Sequence, residues 1–128
     1  MYRYLEHTAD ILIEATGNNF KEALEESAHA MFNVIGSAEP KIKINIACSA
    51  PSKEQLVVYF LGDLLSEMEI NQIVFSKVEI IELVNFDLKA IAYGDKILPK
   101  DQVKAVTHHM LKVEESKNMC KIQVLLDV

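Results

Sequence analysis

Two groups that could do chemistry open the chain: His7 and Asp10, in His7-Thr8-Ala9-Asp10, directly ahead of the apolar run Ile11-Leu12-Ile13. An imidazole and a carboxylate three residues apart sit at the mouth of a strand. Nothing nearby explains the carboxylate as a solvated surface charge. A second candidate lies at the other end, where Ile122, Val124 and Leu126 alternate with Gln123, Leu125 and Asp127 before Val128. Terminal residues usually fray into polar tails, whereas here an apolar strand runs to the last residue given. A sheet that holds this strand presents the Asp127 carboxylate and the main-chain and terminal oxygens of Val128 close together. Negative oxygens crowded in this way repel one another, and a hard cation relieves the repulsion. Oxygen-only ligation suits calcium or magnesium rather than zinc. Asp10 could complete the set, so the candidate metal ligands are Asp10, Asp127 and Val128. The residues by themselves leave the alternative open that both aspartates are ordinary strand ends.

The remaining histidines offer less. His7 could orient Asp10, join the site or cap the turn between the first two strands. His108 and His109 are expected on opposite faces of one strand, because successive side chains alternate, with one packed and one exposed. His29 falls on the wet side of a helix and Lys104 on a solvated strand face. Cys48 and Cys120 lie in separate strand-like segments with no Cys-x-x-Cys pair, the pattern of reduced, partly buried thiols. There is no His-Glu-x-x-His, Gly-rich phosphate loop or Gly-x-Ser-x-Gly elbow. No catalytic triad and no organic-cofactor site is legible.

Composition narrows the partners. Thirteen basic residues against nineteen acidic ones leave a formal charge of -6, a poor match for phosphate backbones. A cation or a basic protein surface suits this balance better. No apolar run approaches the ~20 residues a membrane span needs, and the start has no apolar signal core. A soluble, cytoplasmic protein is the expectation.

The elements that must position these groups follow from periodicity. Tyr2 to Leu5 and Ile11 to Thr16 read as strands. Asn19 with Glu22 makes a capping pattern. Phe20, Leu24, Ser27, Ala28, Met31 and Ile35 then share one helical face, and Gly36 ends the helix. Lys41 to Ala47 alternates as a half-exposed strand near a sheet edge. Ser52 with Gln55 opens a second helix, whose stripe of Leu56, Phe60, Leu64 and Met68 is widened by Val57, Leu61 and Leu65. That width predicts a helix more buried than the first, and Gly62 inside it suggests close packing. Ile73 to Leu83 is a long strand whose alternation slips near Ile80-Ile81, as a bulge would make it. Phe86 to Tyr93, a turn at Gly94-Asp95, Val103 to Glu114, a turn at Ser116 to Asn118, and Met119 to Val128 complete the chain. The order β-β-α-β-α-β-β-β-β lacks regular alternation, so a doubly wound parallel sheet is not expected. The predicted class is α+β, two helices packed on a mainly antiparallel or mixed sheet, with residues 1–128 forming a single domain.

The segments Leu5-Glu6-His7-Thr8-Ala9-Asp10-Ile11, Glu22-Ala23-Leu24, Ile73 to Ser76, Val103 to His109 and Val124-Leu125-Leu126-Asp127-Val128, in that order, resemble the archease family. The resemblance covers nearly the whole chain. This chain departs from the family pattern at Leu12, where a glycine is common, at His108, where a tyrosine is frequent, and at Gly94-Asp95, often Gly-Glu. The resemblance implies a protein cofactor, not an enzyme: an accessory activator of the GTP-dependent RNA-splicing ligase that seals tRNA exon halves. It implies promotion of the ligase's guanylylation and multiple turnover, with RNA met only through that ligase. It also implies a divalent metal, calcium or else magnesium, on Asp10, Asp127 and Val128. The alternatives are a metal-dependent phosphohydrolase using the same carboxylates, and a general chaperone or modulator of RNA-processing enzymes.

Overall fold

The computed structural model describes residues 1–5 and 10–128. Seven strands and two helices run in the order β1 (Tyr2–Leu5), β2 (Ile11–Gly17), α1 (Phe20–Ile35), β3 (Ile42–Ser49), α2 (Lys53–Asn71), β4 (Val74–Val84), β5 (Asp87–Asp95), β6 (Ala105–Ser116) and β7 (Met119–Asp127). The strands divide between two sheets, one ordered β1-β2-β7-β6 and one ordered β3-β5-β4. Every pairing is antiparallel. The central ladder of the larger sheet joins the two ends of the sequence, with Ile11 opposite Leu126 and Gly17 opposite Cys120.

The helices bridge the sheets. α1 packs against β2, β7 and β4, and α2 against β3 and β6. Each begins as its capping residues dictate. The Asn19 side chain accepts from Glu22 N–H at 2.9 Å, and the Glu22 carboxylate reaches back to Asn18 N–H at 2.8 Å. Ser52 accepts from Gln55 N–H. Each such cap contributes roughly 1 kcal/mol. One continuous core, including Ile13, Leu24, Met31, Phe60, Phe75 and Val124, fills the space between helices and sheets.

Several expectations change. α1 is the more buried helix, with nine buried residues of 16 against seven of 19 in α2, because it packs more extensively on the strands than α2 does. Gly62 does not mediate close packing: a Cβ built there meets nothing within 4 Å. Gly94-Asp95 is not a turn but the end of β5, with Gly94 opposite both Ile42 and Phe75. Glycine is required there because a Cβ would fall 2.1 Å from the Val74 carbonyl oxygen. The hairpin turn lies earlier, at Asn85, whose φ is 56°. The bulge near Ile80-Ile81 is present, with β4 slipping register between Ile80 and Glu82.

His29 is not a free surface side chain. Its Nε2 accepts from Val78 N–H at 3.2 Å, while the Glu25 carboxylate accepts from Ile80 N–H at 2.7 Å. Both donors belong to β4, an edge strand of its sheet. Two polar residues of α1 therefore satisfy backbone groups that an open edge would offer to another chain.

Candidate functional site

The β2·β7 ladder sets the geometry of the site. Its last pair is Ile11 with Leu126, so one step further the register reaches Asp10 on one strand and Asp127 on the other. Asp127 is flanked on its other side by Ala105 of β6, and its carbonyl oxygen accepts from Lys104 N–H at 2.7 Å. Both aspartates are half-buried, and Val128 is 38% exposed. Directly opposed strand positions stand with Cβ atoms about 5 Å apart and share a sheet face. The register thus brings the start of β2 and the end of β7, more than a hundred positions apart in sequence, to one end of the sheet. His7 lies outside the described residues.

That face is not the one α1 covers. Ile13, Ala15, Ile122 and Val124 point into the core, so Asp10, Leu12, Leu125 and Asp127 point away from it. Leu12 and Leu125 are nevertheless only 4% and 3% exposed, although neither belongs to the core cluster. β6 is interrupted beside Leu125. Thr107 pairs with Leu125 and Lys112 with Gln123, so four β6 residues, His108 to Leu111, face the single residue Val124. Met110 at the crest has φ 61°, a left-handed conformation costing a side-chain-bearing residue roughly 1–2 kcal/mol. Gln123, on the outer face with Asp127, donates to the Met110 carbonyl oxygen at 2.8 Å. The crest therefore lies over the outer face beside Leu125.

The interruption changes the expectation for the histidines. Alternation does not survive a four-residue excursion, and both His108 and His109 are exposed. Lys104 is exposed as expected. Beneath the excursion lies a group the sequence did not flag. Thr107 Oγ1 is buried and, among the described residues, has no hydrogen-bond partner. By register Thr107 shares the outer face with Ala105 and Asp127.

The residues present fit a hard cation. The donors would be two carboxylates and a main-chain oxygen of Val128, all oxygen, and by register the Thr107 hydroxyl lies on the same face. Among the described residues no three His, Cys, Asp or Glu side chains group as a metal cage. Neither thiol belongs to the donor set. Burial, with the nearby Asp63 carboxylate adding to it, pushes Cys48 up to about 12, and burial also raises Cys120.

This architecture has clear counterparts. The model of the archease protein family (MTH1598/TM1083) matches residues 2–128. The chain belongs to the archease family. "Protein archease" of Methanosarcina acetivorans is 37% identical over 139 residues, spanning 99% of this chain and 95% of that protein. "Protein archease" of Pyrococcus abyssi is 37% identical over 125 residues, spanning 89% and 88%. The solution structure of Methanobacterium thermoautotrophicum protein 1598 superposes with a TM-score of 0.81 at 27% identity, covering 99% of this chain and 98% of that one. The Thermotoga maritima crystal structure described as an archease, possible chaperone, gives 0.76 at 23% identity and shares the fold. The α+β class with two helices on antiparallel sheets is that of these archease structures. No helix among the described residues is long and apolar enough to cross a membrane.

Proposed function

We propose that this archease is an accessory activator of the GTP-dependent RNA-splicing ligase. In this reading it promotes the ligase's guanylylation and multiple turnover through a divalent cation held by Asp10, Asp127 and Val128. The observation that carries the reading is the register of the β2·β7 ladder, whose last pair is Ile11 with Leu126, next to Asp10 on one strand and Asp127 on the other. Two half-buried carboxylates at adjacent register positions repel one another, and directly opposed like charges destabilise a sheet. A bound cation would relieve that repulsion. Calcium fits the flexible, oxygen-rich donor set, and magnesium would fit it with more water retained.

The openness of the set bears on how it acts. Two side-chain carboxylates and a main-chain oxygen fall short of the six to eight oxygens calcium takes. The positions left over suit oxygens of a partner, such as phosphates or carboxylates in the ligase's nucleotide cleft. When bound, the cation would supply positive charge to such groups. Asp10 and Asp127 hold and orient it, while the ladder fixes their spacing. The protein is a cofactor for another enzyme and not an enzyme itself, and it meets RNA only through that enzyme.

The test is a ligase turnover assay with and without this protein, run with and without chelator, alongside Asp10→Ala. Stimulation should vanish in the variant while its fold, followed by circular dichroism, is kept. Full stimulation by Asp10→Ala would rule the reading out.

A further inference from the structure

Resting on the reading that Asp10, Asp127 and Val128 hold a divalent cation, we propose that the Thr107 hydroxyl is a further oxygen ligand for that ion. β6 runs beside β7 with Ala105 opposite Asp127 and Thr107 opposite Leu125. Leu125 and Asp127 alternate with the core residues Val124 and Leu126, so Ala105 and Thr107 share the outer face with Asp127. Thr107 and Asp127 are diagonal neighbours across the ladder, a separation that two oxygens on one ion can span.

Nothing among the described residues uses this hydroxyl. Its oxygen is buried and, among those residues, has no hydrogen-bond partner. The buried Ser27 hydroxyl, by contrast, donates to the Leu24 carbonyl oxygen at 2.7 Å. A hydroxyl buried without a partner costs stability. Valine has the same shape and serves a strand equally well, with no polar atom to bury.

The surroundings narrow what the hydroxyl serves. Of the outer-face positions around it, Ala105, Leu125 and, one strand further, Leu12 carry no polar side-chain atom. Gln123, the next such position on β7, donates its amide to the Met110 carbonyl oxygen at 2.8 Å. Toward the open end of the face stand the carboxylates. There the Lys104 N–H donates to the Asp127 carbonyl oxygen at 2.7 Å, which holds the start of β6 against the end of β7. A hydroxyl gives a hard cation a neutral oxygen, so it adds a ligand without adding to the repulsion between two carboxylates.

Calorimetric titration with calcium alone, and thermal melts in chelator, compare the wild type with Thr107→Val, Thr107→Ser and Asp10→Asn. Thr107→Val should weaken the calcium Kd about tenfold or more, the scale of one bond to a charged group. In chelator the same variant should melt a few degrees above the wild type, because an orphaned hydroxyl has gone. Thr107→Ser keeps the hydroxyl and should bind calcium as the wild type does. A wild-type calcium Kd for Thr107→Val, with binding lost in Asp10→Asn, would overturn the role of Thr107 and leave the carboxylate site standing. Thr107→Val melting no higher than wild type in chelator would mean that the hydroxyl is satisfied without the ion, and would overturn it too. Thr107→Ser binding as weakly as Thr107→Val would assign the loss to the methyl group and have the same effect. A wild type that takes up no calcium, or an Asp10→Asn variant that takes it up undiminished, would overturn the underlying reading and this one with it.

Discussion

Replacing Asp10 by asparagine should change stability in opposite directions with and without calcium. The side chains keep nearly the same shape, so the change is one of charge. With the β2·β7 register continued one step beyond the Ile11–Leu126 pair, Asp10 and Asp127 would stand directly opposed, as strand partners about 5 Å apart. Two unit charges at that distance repel by about 1 kcal/mol in water and about 3 kcal/mol at an effective dielectric near 20. Both residues are half-buried, so a value near 1–2 kcal/mol is expected, and Asp10→Asn should gain it in excess chelator. That corresponds to a melting temperature higher by about 4 °C for a domain of this length. With calcium at roughly a hundred times its Kd, the wild type gains about 2.7 kcal/mol by mass action. The variant, with one carboxylate gone, loses most of that gain and should now melt below wild type. Differential scanning calorimetry in chelator and in calcium reads both arms. A variant that melts below wild type in chelator and shows the wild-type calcium shift would refute the argument, because neither repulsion nor shared ligation would then operate between the two ends.

Three further outcomes follow from single contacts. Gly94→Ala should destabilise by roughly 2–4 kcal/mol in chemical denaturation, since its Cβ collides with the Val74 carbonyl oxygen rather than a flexible side chain. Neither Cys48 nor Cys120 should react with a thiol reagent at pH 8 unless denaturant is added. Burial and the neighbouring Asp63 push Cys48 up to about 12, and burial raises Cys120, and the thiolate is the reactive form; rapid native-state labelling of either would contradict this. The hydrogen bond from the Arg3 guanidinium holds the Glu14 carboxyl below its usual range. A depressed carboxyl contributes stability above its unfolded pKa and loses it as pH falls through the folded one. Glu14→Gln should therefore be slightly less stable than wild type at pH 7, in a salt-sensitive way, and the difference should close below about pH 4.

Periodicity and capping were sufficient for the elements, since a helix face such as Phe20-Leu24-Ala28-Met31 and a strand such as Ile42-Ile44-Ile46 each satisfy one geometric template. The β4 bulge was legible too, because an apolar pair at Ile80-Ile81 breaks a period of two. What escaped depended on partners distant in sequence. His29 and Glu25 look like solvent-facing helix residues until β4 arrives beside them with unpaired N–H groups. Gly94 looks like a turn because Gly-Asp usually is one, and only the close approach of β4 gives the glycine another reason. The His108–Leu111 excursion carries no glycine or proline to announce it. Its left-handed residue is a methionine, held by a side chain thirteen positions on. The pairing of Asp10 with Asp127 rests in the sequence on the two strand ends and on the family resemblance together, and which strands pair is a long-range property that no local pattern encodes.

Because the carboxylates come from opposite ends of the chain, the candidate site exists only once β2 and β7 have paired. That ladder closes a loop of nearly the whole polypeptide, from Ile11 to Leu126, whereas the β4·β5 and β6·β7 hairpins close over a few residues. Long-range pairing carries the largest loop-closure entropy and forms late in folding. A cation bound by Asp10 and Asp127 therefore stabilises the native state more than the transition state that precedes it. In stopped-flow measurements calcium should slow unfolding, by up to about a hundredfold where it contributes ~2.7 kcal/mol, and leave the refolding rate nearly unchanged. Calcium that instead accelerated refolding by a comparable factor would mean that the two ends meet early, with the ladder already formed at the barrier. In Asp10→Asn both rates should be insensitive to calcium, which separates ligation at this pair from general screening of the -6 charge.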